Sequence, residues 1–388
     1  MSPIERTRRA AGLDGMRGVA SLCVFLVHIW IYTSPTRPPR DDFWDFLVFE
    51  LRLSVVFFFV LSGFLLFRDF ARAAVRQDAR ADVAGYGLRR VARIAPAYYV
   101  ALAGAVLLLW GSKVEGFRPI GAEDLGLFAL FAQNYSEETQ LRFNPVLWTL
   151  ALEVAFYSLL PLLGILAYRL GRARRIAIAL AAIVPLGIAW NAFVHYGEHG
   201  SVVSYLLPGY LPYFALGMLL SLGQEWHAVH RGGTPRLGAA VSTGLMLGGL
   251  ALVVADGWWH ASELEPSGNA GIGLLRDLPA AMGFTAMIAA SAFGIGPAVG
   301  WTRLRPFVYA GEISYGFYLW HVPIILFVKR LGLLPESFFP AVAVTLPLAV
   351  AVAATSWHFM ERPILRKVAA RTRRLTPVSA GAEARAAP

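Results

Sequence analysis

The sequence predicts an all-α membrane protein, a polytopic bundle of about ten transmembrane helices. Of its 388 residues, 57% are hydrophobic and only 15% are charged, and the mean hydropathy is +0.55. A soluble domain of this composition would expose large apolar areas to water and aggregate. Apolar runs of roughly twenty residues, enough to cross about 30 Å of hydrocarbon, recur along the whole chain. We place the spans near residues 16–34, 46–67, 94–111, 147–168, 176–194, 202–222, 238–256, 270–295, 306–328 and 338–358.

The basic residues predict how this bundle is oriented. The net charge is +10, and 25 of the 35 Lys and Arg residues fall in the N-terminal arm, the even-numbered loops and the C-terminal tail. Such an excess is typical of the cytoplasmic side, so we expect both termini in the cytoplasm and the protein in the cell (cytoplasmic or inner) membrane. Lys329 and Arg330 are the exception. The basic surface then meets anionic lipid of the bilayer, and we expect no nucleic-acid partner.

The organisation along the chain predicts one membrane domain over residues 13–366. A basic cytoplasmic arm (1–12) precedes it, and an Ala/Arg/Ser/Pro-rich tail (367–388), expected to be disordered, follows it. The longest loops, 69–92 and 112–146, are too short for a second domain. Cys23 is the only cysteine, which excludes an intramolecular disulfide.

Ionisable side chains inside the spans are the main functional signal, because each costs roughly 2.5–3.5 kcal/mol at the centre of a membrane helix. In the first span, Arg17 and His28 are eleven residues apart, which places them about 20° apart around the helix and roughly 16 Å apart along it. Asp14 and Ser21 share this stripe. A terminal ion pair plus a structural histidine is the alternative. The depth of His28 in the apolar span favours a functional role.

An arginine cluster lies at the predicted cytoplasmic end of the third span. Arg89, Arg90 and Arg93 are helical neighbours there. They either anchor the helix at the membrane surface or bind phosphate, whose oxygens arginine pairs bidentately. The spacing does not decide between these two roles.

The fourth predicted span carries Thr149, Glu153 and Tyr157 at intervals of four residues, on one face of the helix. Glu153 lies about one and a half turns inside this apolar span. A direct ion pair with a buried arginine is the structural alternative to a functional acid.

The ninth predicted span carries Ser314, Tyr318 and His321 within about 60° of one another. An aromatic belt at the membrane interface is the alternative, but the apolar run continues to Val328. Taken together, the four segments predict a polar cavity within the bundle, the form expected of an enzyme site in a helical membrane protein.

The chain resembles the acyltransferase-3 family of membrane-bound O-acyltransferases from residue 13 to residue 363. Thr149 stands where the family has serine, and keeps the hydroxyl. The chain ends about 25 residues beyond the last matching block, so we expect a stand-alone member without an SGNH hydrolase-like domain. The matching blocks, in family order, are Leu-Asp-Gly-x-Arg-Gly with Arg-x10-His (13–28), Phe-Phe-x-Leu-Ser-Gly-Phe (58–64), Arg-x-x-Arg-Ile-x-Pro (90–96), Leu-Trp-Thr-Leu…Glu…Phe-Tyr (147–157), Ile-Ser-Tyr…Tyr-Leu-Trp-His (313–321) and Glu-Arg-Pro (361–363).

The resemblance implies transfer of an acyl group, usually acetyl from acetyl-CoA, to a hydroxyl of a carbohydrate-containing acceptor. Surface polysaccharide, peptidoglycan, lipid-linked sugars and macrolides are the acceptors that it suggests. We expect no bound metal and no permanent cofactor, with acyl-CoA as co-substrate.

The predicted site assigns a role to each polar stripe. His28 is our candidate general base, because an imidazole titrates near neutrality; Glu153 and Arg17 complete the predicted catalytic set. Arg90, Arg93 and Arg17 are expected to bind the acyl-CoA donor. The predicted substrate-binding residues are Asp14, Trp148, Tyr157, Ser314, Tyr318 and His321.

The main competing function is a proton-coupled transporter or flippase that uses the same His, Glu and Arg residues. It predicts substrate flux in liposomes without acyl-CoA. Transporters often contain internal repeats, and none is detectable in this sequence. A receptor or scaffold has no need for costly charges within the membrane.

Overall fold

A computed structural model describes residues 3–33, 43–109, 121–197, 199–262 and 270–375. Those ranges are helical, with no strand and a single isolated β-bridge between Leu237 and Gly294. The α-helices are α1 (Pro3–Thr33), α2 (Phe43–Glu50), α3 (Ser54–Arg76), α4 (Val83–Leu109), α5 (Ala122–Ala129), α6 (Leu147–Leu170), α7 (Ala173–Ala181), α8 (Ile183–Tyr196), α9 (Leu211–His230), α10 (Ala239–Ser262), α11 (Ala270–Leu275), α12 (Leu278–Phe293), α13 (Pro297–Gly300), α14 (Arg305–Arg330), α15 (Phe338–Ser356) and α16 (Arg362–Leu375).

The predicted all-α membrane bundle is confirmed. Within the described ranges, eight helical segments are long and apolar enough to cross a membrane. They are Ala10–Thr33, Phe43–Arg76, Val83–Leu109, Leu147–Leu170, Ala173–Tyr196, Ala239–His260, Arg305–Arg330 and Phe338–Thr372. The exact number of spans and the cytoplasmic placement of the termini stay predictions.

Two of the ten expected spans have a different form. The segment expected at 202–222 starts as short 3-10 turns and becomes α-helical only at Leu211, where Pro212 occupies the first turn. The segment expected at 270–295 is split into α11 and α12, because Arg276 takes a left-handed φ of 49°. The resulting α12 has 16 residues, too short for an upright span.

Glycines bring α1 against α14, the pair that carries most of the predicted site. A Cβ at Gly18 would overlap the Phe307 carbonyl, and one at Gly311 would overlap the Asp14 carbonyl. Backbones can approach this closely only where a residue has no side chain, which is how small residues serve helix packing in membranes. The Leu-Asp-Gly-x-Arg-Gly motif is therefore also a packing motif.

Helix α14 lies at the centre of the bundle. Its most apolar window is 72% buried, against 22% for the spans of α10 and of α15. It packs against α1, α4 and α15. A second glycine contact joins α3 to α9, where Gly63 meets the Phe214 carbonyl and Gly217 meets the Val60 carbonyl. These two close pairs fix the positions of α1, α3 and α14 around the polar residues.

The chain passes from α15 to α16 through a π-helical turn, Trp357–Glu361. This turn directs Glu361 inward, where it is 3% exposed. Helix α16 continues to Leu375, so the chain is helical beyond the boundary expected at residue 367. The remainder of the expected tail, from residue 376, lies outside the described residues.

Candidate active site

The polar stripe of α1 faces α14 along its whole length. At one end, the Arg17 guanidinium donates to the Asp14 carboxylate (3.2 Å) and to the Ser314 hydroxyl (3.1 Å). At the other end, His28 lies against His321, with 3.4 Å between His28 Nδ1 and His321 Nε2. Both contacts run in the same chain direction, so α1 and α14 are parallel. The structure thus brings five of the predicted site residues together, with Asp14, Arg17 and Ser314 at one end and His28 and His321 at the other.

The hydrogen bonds of the two imidazoles assign their tautomers. His321 Nδ1 lies 3.1 Å from the Phe317 carbonyl and can only donate to it, which leaves Nε2 as an acceptor. His28 Nδ1 lies 2.8 Å from the Val24 carbonyl and likewise carries the proton. His28 Nε2 is consequently unprotonated, and it is free to accept a proton from a substrate. His321 is 1% exposed, whereas His28 is only partly buried and accessible.

Glu153 is held by hydroxyl groups. It accepts hydrogen bonds from Ser62 (3.2 Å) and Tyr157 (2.8 Å). No described cation lies within ion-pair distance of it, so the direct Glu–Arg pair considered from the sequence is absent from the described residues. Arg17 and Arg90 nevertheless lie close enough to interact with it electrostatically.

The two predicted donor-binding arginines of α4 have different surroundings. Arg93 pairs with Glu361 (3.3 Å), and its guanidinium lies over the rings of Tyr315 (5.3 Å) and Trp357 (5.6 Å). Arg90 has no ion-pair partner among the described residues, and its buried Nε has no hydrogen-bond acceptor there. Of the two, Arg90 is therefore the guanidinium with unused hydrogen-bonding capacity.

Arg17, Arg90, Arg93, Glu153 and Glu361 interact electrostatically as one group, which we call the charged cluster. It draws side chains from α1, α4, α6 and the π-helical turn. It lies at the Arg17 end of the α1 stripe, and His28 is eleven residues further along the same helix.

The remaining predicted site residues lie around the charged cluster and the histidine pair. The hydroxyls of Tyr318 and Thr149 are 2.6 Å apart, and both reach the Val146 carbonyl, which ties α14 to α6. Trp148 points away from the histidines and packs against the rings of Tyr205 (5.3 Å) and Tyr210 (5.4 Å). The structure therefore does not bring Trp148 to the His28–His321 pair.

Two residues that hold the site together, Ser62 and Glu361, have no role predicted from the sequence. Ser62 lies within the matched second-span block, and its hydroxyl binds Glu153. Glu361 opens the closing Glu-Arg-Pro block, and it also accepts from Ser356 (3.0 Å). Both lay in motifs visible in the sequence, but their partners are distant along the chain.

Comparison with known proteins identifies the family. A family model described as an acyltransferase domain, that of the acyltransferase-3 family, matches residues 10–358. The chain belongs to the acyltransferase-3 family. The matched region includes α1, α4, α6 and α14, and thus every residue of the charged cluster except Glu361, together with both histidines. No solved structure matches the chain.

Several curated relatives are similar to this member of the acyltransferase-3 family over most of its length. Nodulation protein 10 of Rhizobium leguminosarum bv. viciae is 26% identical over 91% of the chain and 92% of its own length. A Bacillus subtilis protein provisionally named peptidoglycan O-acetyltransferase YrhL is 24% identical over 93% of the chain. O-acetyltransferase OatA of Staphylococcus aureus is 23% identical over 93% of the chain. The chain spans 55% of the Bacillus protein and 58% of the Staphylococcus protein.

Proposed function

We propose that the protein is an integral membrane O-acyltransferase that moves an acyl group, acetyl by preference, from acyl-CoA to a hydroxyl of a carbohydrate-containing acceptor. The observation that carries the proposal is the His28–His321 pair. It leaves Nε2 of the partly buried His28 unprotonated within an apolar bundle. Membership of the acyltransferase-3 family and relatives named as O-acetyltransferases support the same reaction class.

In the proposed reaction, the acceptor hydroxyl gives its proton to His28 Nε2 as its oxygen attacks the thioester carbonyl carbon. The tetrahedral intermediate carries its negative charge on the former carbonyl oxygen. When the carbon–sulfur bond breaks, the CoA thiolate leaves and takes the proton from the His28 imidazolium. The ester forms, free CoA is released, and His28 returns to its neutral state.

His321 acts in this scheme as a positioning residue. Its Nε2 lies 3.4 Å from His28 Nδ1 and is a second, longer acceptor for the proton that the Val24 carbonyl accepts at 2.8 Å, so it supports both the tautomer that leaves His28 Nε2 free and the imidazolium formed during transfer. A fully buried neutral imidazole suits this role, because it adds no charge to the apolar interior.

We assign the donor phosphates to the Arg90 side of the charged cluster. Arg90 has unused donors, and arginine binds phosphate oxygens bidentately. Arg17 is the member of this cluster that lies on the α1 stripe, and the stripe that leads from it to His28 is long enough to suit the flexible pantetheine arm of CoA. Arg93, which is occupied by Glu361, holds the cluster in place.

For the acceptor we propose a chemical class. The names of two relatives refer to O-acetyltransferases, one of them acting on peptidoglycan. For this chain we propose a glycan, a lipid-linked sugar or a glycosylated small molecule such as a macrolide, since each offers the secondary hydroxyl that the reaction needs.

Purified full-length protein incubated with labelled acetyl-CoA and a panel of these acceptors tests the proposal by mass spectrometry. We expect a mass gain of one acetyl group on an acceptor and stoichiometric release of CoA. Substrate flux across liposomes without acyl-CoA, with no acetylated product from any acceptor, would instead establish the transporter alternative.

A further inference from the structure

A second group of ionisable side chains lies away from the charged cluster and the histidine pair. Asp256 and His260 are one turn apart on α10, and Asp277 immediately precedes α12. Each offers one ligand atom, and these atoms all lie within 4.8 Å of one another. We call these three residues the Asp256 cluster.

This cluster is separate from the candidate active site. It borders a cavity of about 480 Å³ lined by Phe49, Glu50, Arg52, His195, His260 and Asp277, among others. Phe49 packs against Trp30, with 5.7 Å between their ring centroids. Trp30 is two residues from His28 and so points about 200° away from it around α1. The cavity and the histidine pair therefore lie on different sides of α1.

Asp256 is the most unusual residue of the cluster. It is 1% exposed, and neither of its carboxylate oxygens has a hydrogen-bond partner among the described residues. A buried carboxylate without partners costs several kcal/mol unless a ligand or a counter-charge compensates it. The nearest cationic candidate is His260, whose Nδ1 lies 3.8 Å from an Asp256 oxygen.

The neighbouring arginine compensates an Asp256 charge only through a longer-range electrostatic interaction. Arg52 pairs with Glu50 (3.1 Å) and Asp277 (3.0 Å) but has no ion pair with Asp256. Three carboxylates (Glu50, Asp256 and Asp277) and two guanidinium groups (Arg52 and Arg276) interact in this region, so an ionised Asp256 would leave one negative charge in excess. A bound cation at Asp256 would compensate this charge.

The imidazole of His260 is oriented as a metal ligand would be. Its Nδ1 donates to the Asp256 backbone carbonyl (2.8 Å), which leaves the Nε2 lone pair available, 3.9 Å from an Asp277 oxygen. Metal-ligating histidines typically donate their other ring N–H to a carbonyl in this way. With metal–ligand bonds of about 2.1 Å at tetrahedral angles, ligand atoms lie about 3.4 Å apart, so the ligand atoms of this cluster need to approach one another by at most about 1.4 Å.

We propose that Asp256, His260 and Asp277 bind a divalent transition-metal ion, Zn²⁺ or Mn²⁺. One imidazole and two carboxylates suit these ions, whereas Mg²⁺ prefers oxygen ligands and water. The bound ion joins the end of α10 to the start of α12 and stabilises the wall of the cavity. The proposal is independent of the acyltransferase reaction.

Metal analysis of the full-length protein in detergent tests this site. The protein is stripped with a chelator, equilibrated with ZnCl₂ or MnCl₂, freed of unbound ion and analysed by mass spectrometry. We expect about one equivalent of one of these ions per chain, and at least a tenfold weaker retention in Asp256→Asn and His260→Ala. His195→Ala, which alters the same cavity outside the cluster, is expected to retain the ion.

Thermal unfolding gives a second readout if a variant folds poorly. Added metal is expected to raise the Tm of the stripped wild-type protein and of His195→Ala. Retention of less than a tenth of an equivalent of both ions by the wild type, an unchanged Tm on metal addition, or wild-type retention by a folded Asp256→Asn variant would each overturn the proposal.

Discussion

At the scale of single residues, the contact between His28 and His321 governs the proposed chemistry. His321 Nε2 is a second acceptor for the His28 Nδ1 proton beside the Val24 carbonyl, so its loss weakens the hold on the His28 ring and removes a partner of the imidazolium. We predict that His321→Gln lowers kcat about 10- to 100-fold and leaves the KM for acyl-CoA nearly unchanged. Steady-state kinetics measure this split.

His230→Gln serves as the control, since that exposed imidazole lies at the end of α9. A merely structural role for His321 predicts instead a lower yield of folded enzyme with an unchanged kcat per active site. That result would remove the positioning role.

Arg90 and its neighbour Arg89 form a matched pair for donor binding. Arg90 has unused donors beside the charged cluster, whereas Arg89 lies 3.9 Å from Asp82 at the surface. A charge-assisted hydrogen bond contributes about 1.5–3 kcal/mol, so we predict that Arg90→Ala raises the KM for acyl-CoA at least tenfold. Arg89→Ala is expected to change it little. Equal effects of the two substitutions would contradict a specific phosphate contact.

We predict that loss of the Arg93–Glu361 ion pair mainly lowers the stability of the protein and affects its activity less directly. Their side chains are 17% and 2% exposed, so Arg93→Ala leaves a buried carboxylate uncompensated, at a cost of about 3–5 kcal/mol. Adding Glu361→Gln removes that charge and should recover part of the lost stability. Tm values of the single and double variants measure the effect, and a double variant no more stable than Arg93→Ala would argue against this pair.

At the scale of helices, the fit between α1 and α14 sets the distances within the site. A methyl group at Gly311 would overlap the Asp14 backbone carbonyl, so Gly311→Ala must move the two helices apart. We predict a loss of about 1–3 kcal/mol in stability and a marked loss of transfer activity, since both the Arg17–Ser314 and the His28–His321 contacts span this interface.

Gly223→Ala is the matched control for this helix prediction. It changes a glycine of α9 with no atom near the added methyl group, so helix propensity alone should make it neutral or slightly stabilising. Thermal unfolding and transfer assays of both variants compare them directly. Wild-type stability and activity in Gly311→Ala would show that the helix contact does not control the site.

The helices show which features of the fold a sequence pattern can predict and which it cannot. Spacing of polar residues along α1 and α14 predicts which faces they share, because helix periodicity is local. The break at Arg276 could not be predicted, since an arginine in the left-handed region follows from tertiary contacts to Ser204 and Tyr210. Propensity alone gives no signal for such a residue.

At the scale of the whole molecule, composition predicts the all-α membrane bundle because every span must satisfy its backbone internally. The pairing of residues distant in sequence follows from the packing of the helices. Arg93 meets Glu361 across 268 positions, and Arg17 meets Ser314 across 297. Most of these residues belong to motifs that are visible in the sequence. Only the fold shows that Arg93 forms an ion pair with Glu361, whereas Arg90 has no ion-pair partner among the described residues.

The central claim is that His28 accepts the acceptor proton during acyl transfer. The rate of acetyl transfer from labelled acetyl-CoA by purified His28→Ala, compared with the wild type, tests it most directly. His358→Ala, which changes an exposed imidazole beside Tyr309, serves as the control. We expect kcat to fall about 10²- to 10⁴-fold while the Tm is unchanged. Wild-type turnover by a folded His28→Ala variant would contradict it.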